Sequence, residues 1–257
     1  MIKLIDTHAH LTDEKLISTV EDIIENAKLA GVKKIISCGY DIESSLKSVE
    51  FSLKYDEVYA TFGIHPHDAN KANEESFQVI KEHLNNPKIV AIGECGLDFH
   101  YNLSPKDDQI KCFIRHLEIA SEYNMPVSVH SRESMKDIIN ILSDFKDNIT
   151  GVLHFFTGNF DEMEKLYDMG FYFGIDGPVT FKSGGDIRNL VKKMPLDRIV
   201  LETDCPYMTP VPNRGKINQP SYLTYVLETV SEIKEISPEE LSETIWKNTL
   251  NLFPRLR

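Results

Sequence analysis

The sequence lacks long apolar runs and paired cysteines. No stretch approaches the roughly 18 consecutive apolar residues that a membrane-spanning helix needs, and no basic segment leads into an apolar signal core. Only four of the 257 residues are cysteines, and none has the Cys-x-x-Cys spacing of a zinc ribbon or a redox pair. We therefore expect a cytoplasmic protein without membrane contact, whose cysteines are reduced core residues rather than a disulfide framework.

Basic residues are also scarce. The chain has 28 lysines and arginines against 40 aspartates and glutamates, which gives a formal net charge of −12 at pH 7. Such a charge repels a polyanion at long range, so a broad basic groove that holds many phosphates is excluded. If the substrate is a nucleic acid, we expect local binding of a chain end or short strand through cations in the site and a few basic side chains.

The apolar runs that are present are short and regularly spaced. Eight of them predict buried strands at 2–6, 33–38, 57–63, 87–92, 126–130, 149–153, 171–176 and 197–202. Helical spacing predicts helices at 13–30, 42–54, 74–84, 105–124, 134–144, 160–169, 185–193, 219–235 and 238–251. This alternation indicates βαβ units and a parallel sheet. Eight units in this length favour one α/β domain over residues 1–257, a closed (β/α)8 TIM barrel rather than an open doubly wound sheet.

The segment Asp6-Thr7-His8-Ala9-His10 follows the first predicted strand. Residues two apart in an extended chain point to the same side, so His8 and His10 would project together, about 7 Å apart along the backbone. Two imidazoles on one side can share a cation, although a buried, hydrogen-bonded histidine pair would give the same pattern. The ends of the other strands decide between these interpretations.

Imidazoles and carboxylates gather at the carboxyl ends of six predicted strands, where barrels of this class build their active sites. They are Asp6, His8 and His10; His65 and His67; Glu94 and Asp98; His130; His154; and Glu202 and Asp204. Ordinary strand ends would favour Ser, Asn, Asp and Gly, yet six of the nine histidines lie at this rim. The sequence therefore predicts a site for divalent cations. For His83, His100 and His116 we expect solvated or capping roles.

The candidate ligands divide into two groups that one carboxylate can join. One group is His8, His10 and Asp204, the other is His130 and His154, and Glu94 can bridge them with its two oxygens. Two cations about 3.5–4 Å apart would activate a bridging water and neutralise charge on a substrate oxygen. This arrangement predicts hydrolysis.

Six motifs in chain order carry a resemblance to a known family. They are Asp-Thr-His-Ala-His at 6–10, Gly-Ile-His-Pro-His at 63–67, Gly-Glu-Cys-Gly-Leu-Asp at 93–98, Val-His-Ser-Arg at 129–132, His-Phe-Phe-Thr-Gly at 154–158 and Glu-Thr-Asp-Cys-Pro-Tyr at 202–207. Pro-Asn-Arg-Gly-Lys at 212–216 and Lys-Asn-Thr at 247–249 extend the similarity. Across nearly its whole length the chain resembles the TatD family of metal-dependent deoxyribonucleases.

The resemblance implies an amidohydrolase-like barrel that hydrolyses phosphodiester bonds as a 3′-5′ exonuclease on single-stranded DNA. It implies metal ligands at His8, His10, Glu94, His130, His154 and Asp204, and a contact between His65 and the scissile phosphate. Cys95 and the run Phe155-Phe156-Thr157 depart from the commonest family pattern, but neither removes a candidate ligand. Family nucleases point to Mg or Mn as the two divalent ions, whereas four imidazoles also suit Zn.

The expected roles follow from this chemistry. A metal-bound hydroxide would attack phosphorus, and Asp204 would either accept a proton from the water or act only as a ligand. Arg132 could bind phosphate through two parallel hydrogen bonds, or form a surface ion pair with Glu133 or Asp137. The basic loop that carries Arg214 could face the substrate or the solvent.

Three further carboxylates lie close to the candidate ligands in sequence. We expect Asp6 and Glu202, each two residues before a ligand, to orient ligand histidines, and Asp98 to do the same from a loop. His67 is either a second site residue or a structural one.

Two other functions fit the same motifs. One is a hydrolase of the same fold that acts on an ester, lactone or amide, which would not need Arg132 and Arg214 to face the metals. The other is a non-catalytic metal-binding barrel, which the presence of both Glu94 and Asp204 disfavours. No obligate protein partner is inferred.

Overall fold

A single eight-stranded parallel sheet forms the centre of the molecule, with its strands hydrogen-bonded in chain order. The computed structural model describes residues 2–257. The strands are β1 Leu4–Ala9, β2 Val32–Ser37, β3 Val58–Phe62, β4 Ile89–Asp98, β5 Val127–Arg132, β6 Gly151–Leu153, β7 Tyr172–Ile175 and β8 Ile199–Leu201. Each overlaps one predicted strand, and the predicted (β/α)8 barrel is confirmed.

Helices alternate with the strands and cover the outside of the barrel. They are α1 Val20–Leu29, α2 Ile42–Lys54, α3 Glu74–His83, α4 Lys106–Tyr123, α5 Met135–Ser143, α6 Phe160–Asp168, α7 Gly185–Lys193, α8 Leu223–Lys234 and α9 Pro238–Leu252. The predictions of 13–30 and 219–235 were too long, because the 3₁₀ turns Ile17–Thr19 and Pro220–Tyr222 precede α1 and α8. Within residues 2–257, no helix combines the length and apolarity that crossing a bilayer requires.

The strands are buried on both faces. All six residues of β1 and all ten of β4 are buried, because helices cover one face and packed side chains fill the barrel on the other. This double burial explains why the strands appear in the sequence as short, nearly continuous apolar runs. In β1 and β4 the buried charged and imidazole side chains Asp6, His8, Glu94 and Asp98 interrupt these runs towards the carboxyl rim.

The seam between the first and last strands closes beyond the end of β8. Ala9 pairs with Cys205 in an isolated parallel bridge. The backbone N–H of His10 donates to the carbonyl of Cys205 at 2.8 Å, and that of Asp204 donates to the carbonyl of His8 at 2.9 Å. These bonds bring His8, His10 and Asp204 together, although about 200 residues separate them in the chain.

Close backbone contact between β4 and β5 depends on glycine. Gly96 has a φ of +140°, and a Cβ there would lie 2.0 Å from the carbonyl oxygen of His130. Only glycine combines that conformation with so close an approach. The two strands therefore run side by side to the rim, pairing Gly96 with His130 and Asp98 with Arg132.

Candidate metal centre

The six side chains predicted as ligands converge at the carboxyl rim, and five of them are buried while His130 is partly so. In the first group, His8 Nε2 lies 3.3 Å from Glu94 Oε2 and His10 Nε2 lies 3.3 Å from Asp204 Oδ1. The two Nε2 atoms are 3.3 Å apart. This is the group that the His-x-His pattern predicted, completed by Asp204 from across the seam.

The second group surrounds the other oxygen of the same carboxylate. Glu94 Oε1 lies 3.0 Å from His130 Nδ1, 3.1 Å from His154 Nε2 and 3.5 Å from His65 Nε2. Glu94 thus presents one oxygen to each group of imidazoles. That is the bridging geometry expected from the sequence.

The donor set fits divalent cations. Imidazole nitrogens face each other within both groups, at 3.3 Å between His8 and His10 and at 3.4 Å between His130 and His154. Nitrogens so close must share a proton or a cation. No lysine or arginine of residues 2–257 pairs with Glu94 or Asp204, so no side-chain cation other than histidine balances these carboxylates. Imidazole and carboxylate donors without thiolate suit Zn or Mn, and carboxylates also suit Mg.

Charge within the cluster favours ionised carboxylates. Burial opposes the charge on Glu94, but the surrounding imidazoles outweigh it and hold the pKa of Glu94 well below its usual value. Burial likewise opposes the charge on Asp204, and the hydrogen bond from His10 lowers its pKa nevertheless. Both carboxylates are therefore available as anionic ligands at neutral pH.

The tautomers of two histidines differ in what they offer the site. The backbone N–H of His67 donates to His65 Nδ1 at 3.2 Å, and burial lowers the pKa of His65 well below its ordinary value. Neutral His65 therefore carries its proton on Nε2, the atom that faces Glu94. In His130 the Nε2 atom faces Asp98 at 3.2 Å, which leaves the lone pair of Nδ1 for the site. His65 can donate a hydrogen bond there, whereas His130 can coordinate a cation.

Asp98 holds the second group from behind. Its Oδ2 lies 2.9 Å from His67 Nε2 and 3.2 Å from His130 Nε2, so the predicted orienting contact is present. The predicted loop position was wrong: Asp98 is the last residue of β4, because pairing with β5 continues as far as Arg132. Despite burial, hydrogen bonds from these partners hold the pKa of Asp98 well below its usual value.

Glu202 lies against a candidate ligand, as predicted. Its Oε1 accepts a hydrogen bond from the backbone N–H of Phe155 at 2.6 Å and lies 3.5 Å from His154 Nδ1. Gly174 on β7 makes room for it, since a Cβ there would lie 2.4 Å from the Glu202 oxygens. The carboxylate therefore fixes the backbone that follows His154 and lies beside its ring, whose Nδ1 has no hydrogen-bond partner in the described part of the chain.

For Asp6 the prediction was wrong. Its oxygens accept hydrogen bonds from the backbone N–H of Thr203 at 2.9 Å, from the Thr203 hydroxyl at 2.6 Å and from the His8 N–H at 3.3 Å, and none contacts an imidazole. The relative position of β1 and the segment after β8 places Asp6 opposite Thr203. Asp6 thus anchors the backbone next to Asp204 instead of orienting a ring.

For His116 the prediction of a solvated or capping role was wrong. It is fully buried on α4, where Nδ1 lies 2.7 Å from the carbonyl of Cys112 and Nε2 accepts the backbone N–H of Ile64 at 3.0 Å. It therefore fixes the segment that leads into His65. The helical spacing of Cys112, His116 and Ala120 on one buried face was the available signal.

His100 and His83 agree with prediction: the first pairs with Glu133 at 2.7 Å, and the second caps the carbonyl of Val79.

The buried state of His116 predicts a pH dependence of stability. Burial lowers its pKa to about 4 in the folded protein, against about 6.5 for an exposed histidine. Between these values the unfolded chain binds a proton that the folded chain does not, so stability falls as the pH drops from 6.5 to 4, by up to about 3 kcal/mol. We expect the stability advantage of wild type over His116→Gln in urea unfolding to shrink by this amount between pH 7 and pH 4. His100→Gln is the exposed control, and a pH-independent difference would contradict the assignment.

The predicted basic substrate contacts lie outside the ligand cluster. Arg132 is exposed and stacks on Tyr101, with its guanidinium carbon 4.5 Å from the ring centre. The alternative ion pairs with Glu133 and Asp137 do not form; Glu133 instead pairs with His100. Arg214 donates to the carbonyl of Thr209 at 3.1 Å and stacks on the ring of Phe181 at 4.0 Å. Substrate binding by Arg132 and Arg214 stays a prediction.

One rim carboxyl was missed. Asp176 directly follows β7, is 3% exposed, and its Oδ2 has no hydrogen-bond partner in the described part of the chain. Burial and the charges of Glu202 and Asp204 raise its pKa well above the usual value. The predicted strand 171–176 ended on this residue, so the rule that collected the other strand ends would have found it. The four cysteines are free and buried, as predicted.

The fold and the cluster are typical of a class of protein, the metal-dependent barrel hydrolases, with candidate metal ligands at the carboxyl ends of the strands. The sequence model of the TatD related DNase family matches residues 5–254. The chain belongs to the TatD family.

Similar proteins agree with this assignment. The uncharacterized metal-dependent hydrolase YabD of Bacillus subtilis is 41% identical over 97% of this chain and 98% of its own length. The 3′-5′ ssDNA/RNA exonuclease TatD of Salmonella typhimurium is 32% identical over 97% of this chain and 98% of its own length. The crystal structure of YJJV, a TatD homolog from Escherichia coli K12, matches with a TM-score of 0.92 at 28% identity, covering 98% of both chains. The protein is therefore a metal-dependent hydrolase.

Proposed function

We propose that the protein is a 3′-5′ exonuclease that removes nucleotides from the end of single-stranded DNA, with two divalent cations, Mg or Mn, and with Zn as the further option. The observation that carries the proposal is the carboxylate of Glu94, whose oxygens face two separate imidazole groups at 3.0–3.7 Å. Two cations on either side of one carboxylate are the arrangement found in enzymes that displace groups at phosphorus.

In this proposal each ligand group holds one ion. His8, His10 and Asp204 would hold the first, His130 and His154 would hold the second, and Glu94 would contribute one oxygen to each. When bound, the ions would supply an activated water and neutralise charge on the phosphate oxygens. Asp98 keeps the ring of His130 in place, and Glu202 lies 3.5 Å from Nδ1 of His154.

Two further roles fall to residues at the edge of the cluster. Asp204, anionic and 3.3 Å from His10, accepts the proton that the attacking water loses. His65 donates its Nε2–H to a nonbridging oxygen of the scissile phosphate, since its other nitrogen already accepts a hydrogen bond from His67. A proton-carrying Nε2 favours this phosphate contact over coordination of a cation.

The charge of the protein favours action at a chain end. A net charge of −12 leaves little attraction for long duplex DNA, so binding depends on the site itself. The Salmonella relative is named an exonuclease on single-stranded DNA and RNA, which supports this substrate class.

The test is hydrolysis of a 5′-labelled single-stranded oligonucleotide with Mg or Mn. We expect a ladder that shortens stepwise from the 3′ end, stops on addition of a chelator and resumes when metal is restored. A 3′-terminal phosphorothioate linkage should delay the first step. Internal cleavage or an intact oligonucleotide would contradict the proposal; hydrolysis of an ester, lactone or amide panel would then favour the rival hydrolase.

Three further predictions accompany this function. The first is that residues 1–257 form one domain. In support, the backbone N–H of Lys3, next to β1, donates to the hydroxyl of Ser242 on α9 at 3.0 Å. The protein acts in the cytoplasm, and it needs no obligate protein partner.

A further inference from the structure

The loops around the metal centre expose apolar side chains to solvent. Among residues 2–257, seven of the ten exposed large apolar side chains lie in loops or first helical turns that follow strands. They are Ile17, Tyr101, Leu103, Phe160, Tyr207, Val211 and Ile217. The exposed apolar surface is therefore concentrated at the mouth of the site, where the roles described so far use none of it.

Tyr207 stands at the edge of the first ligand group. Its ring centre lies 6.3 Å from that of His10, and its hydroxyl donates to Asp13 Oδ2 at 2.8 Å. The ammonium of Lys15 lies 5.0 Å from the ring centre. The side chain is nevertheless 45% exposed, so an aromatic surface is held in a fixed position beside the site and remains open.

Tyr101 occupies the corresponding place beside the second group. Its ring centre lies 5.6 Å from that of His67, which in turn lies 4.3 Å from the ring of His65. Its backbone N–H donates to Asp98 at 2.9 Å, and the guanidinium of Arg132 lies over its ring. This side chain is 53% exposed. The two tyrosines thus border the cluster, one beside each ligand group, and each has a cation at its ring.

We propose that Tyr207 and Tyr101 are stacking platforms for the two nucleobases on either side of the scissile phosphate, an inference that rests on the function proposed above. An aromatic ring stacks on any base, so such platforms suit an exonuclease that must accept every sequence. The net charge of −12 limits what phosphate contacts can contribute, and stacking supplies binding that does not depend on that charge. Lys15 and Arg132, each against one of the rings, would meet the adjoining phosphates.

A purely structural role for Tyr207 makes a different prediction. In that case its hydroxyl would only tie the loop after β8 to Asp13. Tyr207→Phe removes the hydroxyl, which a structural role needs, but keeps the aromatic ring, which stacking needs. The comparison of Tyr207→Phe with Tyr207→Ala therefore separates the two roles.

The experiment measures binding of a hydrolysis-resistant dinucleotide, thymidylyl-thymidine with a methylene group in place of the 3′ bridging oxygen, to the metal-loaded protein by calorimetry. Binding is also measured for two analogues of this dinucleotide, one without the 5′ base and one without the 3′ base. We expect Tyr207→Ala to weaken the full dinucleotide about 5- to 30-fold and to leave unchanged the analogue that lacks its partner base. Tyr101→Ala should show the same pattern with the other base. Tyr207→Phe and Leu103→Ala, the latter a nearby exposed residue without a ring, should bind as wild type does.

Equal losses on all three ligands, no loss on any, or a loss in Tyr207→Phe as large as in Tyr207→Ala would overturn the inference. The proposed function fails in a separate assay, the oligonucleotide ladder of the wild-type protein. If dinucleotide binding depends on the bases but the oligonucleotide is not cleaved, the stacking role of the two tyrosines stands and the exonuclease function is refuted. If the oligonucleotide is cleaved but binding does not depend on the bases, the exonuclease function stands and the stacking role is refuted.

Discussion

Replacing Glu94 by glutamine is expected to lower kcat for phosphodiester hydrolysis at least about a thousandfold, because several kcal/mol of charge stabilisation are lost and each 1.4 kcal/mol is tenfold. Glutamine keeps the shape but removes the negative charge that faces His8 at 3.3 Å and His154 at 3.1 Å. Both ions lose a ligand in one substitution. Bound metal, measured after gel filtration, should fall from about two per chain to below one.

The matched control for this change is Glu133→Gln. Glu133 directly follows β5 at the same rim, but it is exposed and pairs with His100 away from the cluster. We expect wild-type kcat and metal content from it. If Glu94→Gln keeps its metal content and loses less than about tenfold in kcat, the bridging role of Glu94 is refuted.

Asp204→Asn is expected to reduce kcat by about a hundred- to ten-thousandfold, the range associated with a lost acid-base group. The side chain lies 3.3 Å from His10 and 3.9 Å from His8, so the change affects only the first ligand group. Its backbone remains fixed by the hydrogen bond to the carbonyl of His8, which makes a folding defect a poor explanation of the loss. Bound metal should fall by no more than about one ion per chain.

Metal content separates the two roles of Asp204. A large loss of kcat with both ions retained identifies the proton acceptor, whereas loss of one ion identifies a ligand. Glu202→Gln is the comparison, since this carboxylate lies 3.5 Å from His154 and is not one of the proposed ligands. It should cost about 10- to 100-fold, as expected for a group that orients a ligand. Wild-type kcat in Asp204→Asn would remove Asp204 from the catalytic machinery.

Much of the architecture was accessible from the sequence because it depends on local patterns. Eight short apolar runs alternate with helical spacing, and the largest differences from prediction lie at the ends of β1, β4, β8, α1 and α8. The ligand set was accessible for a related reason: parallel strands in a barrel end at a common rim, so a residue at a strand end is placed without knowledge of register. That rule collected all six candidate ligands and, applied to β7, would also have collected Asp176.

Contacts made across the structure were decided only by the tertiary fold. The interactions of Asp6 with Thr203 and of His116 with Ile64 join residues 197 and 52 positions apart. Which atoms meet over such separations depends on strand register and on the rotation of each helix against the barrel, and neither is a property of a local sequence pattern. The sequence thus determined which side chains reach the rim, whereas the packing of strands and helices determined which oxygen of Glu94 faces each imidazole group.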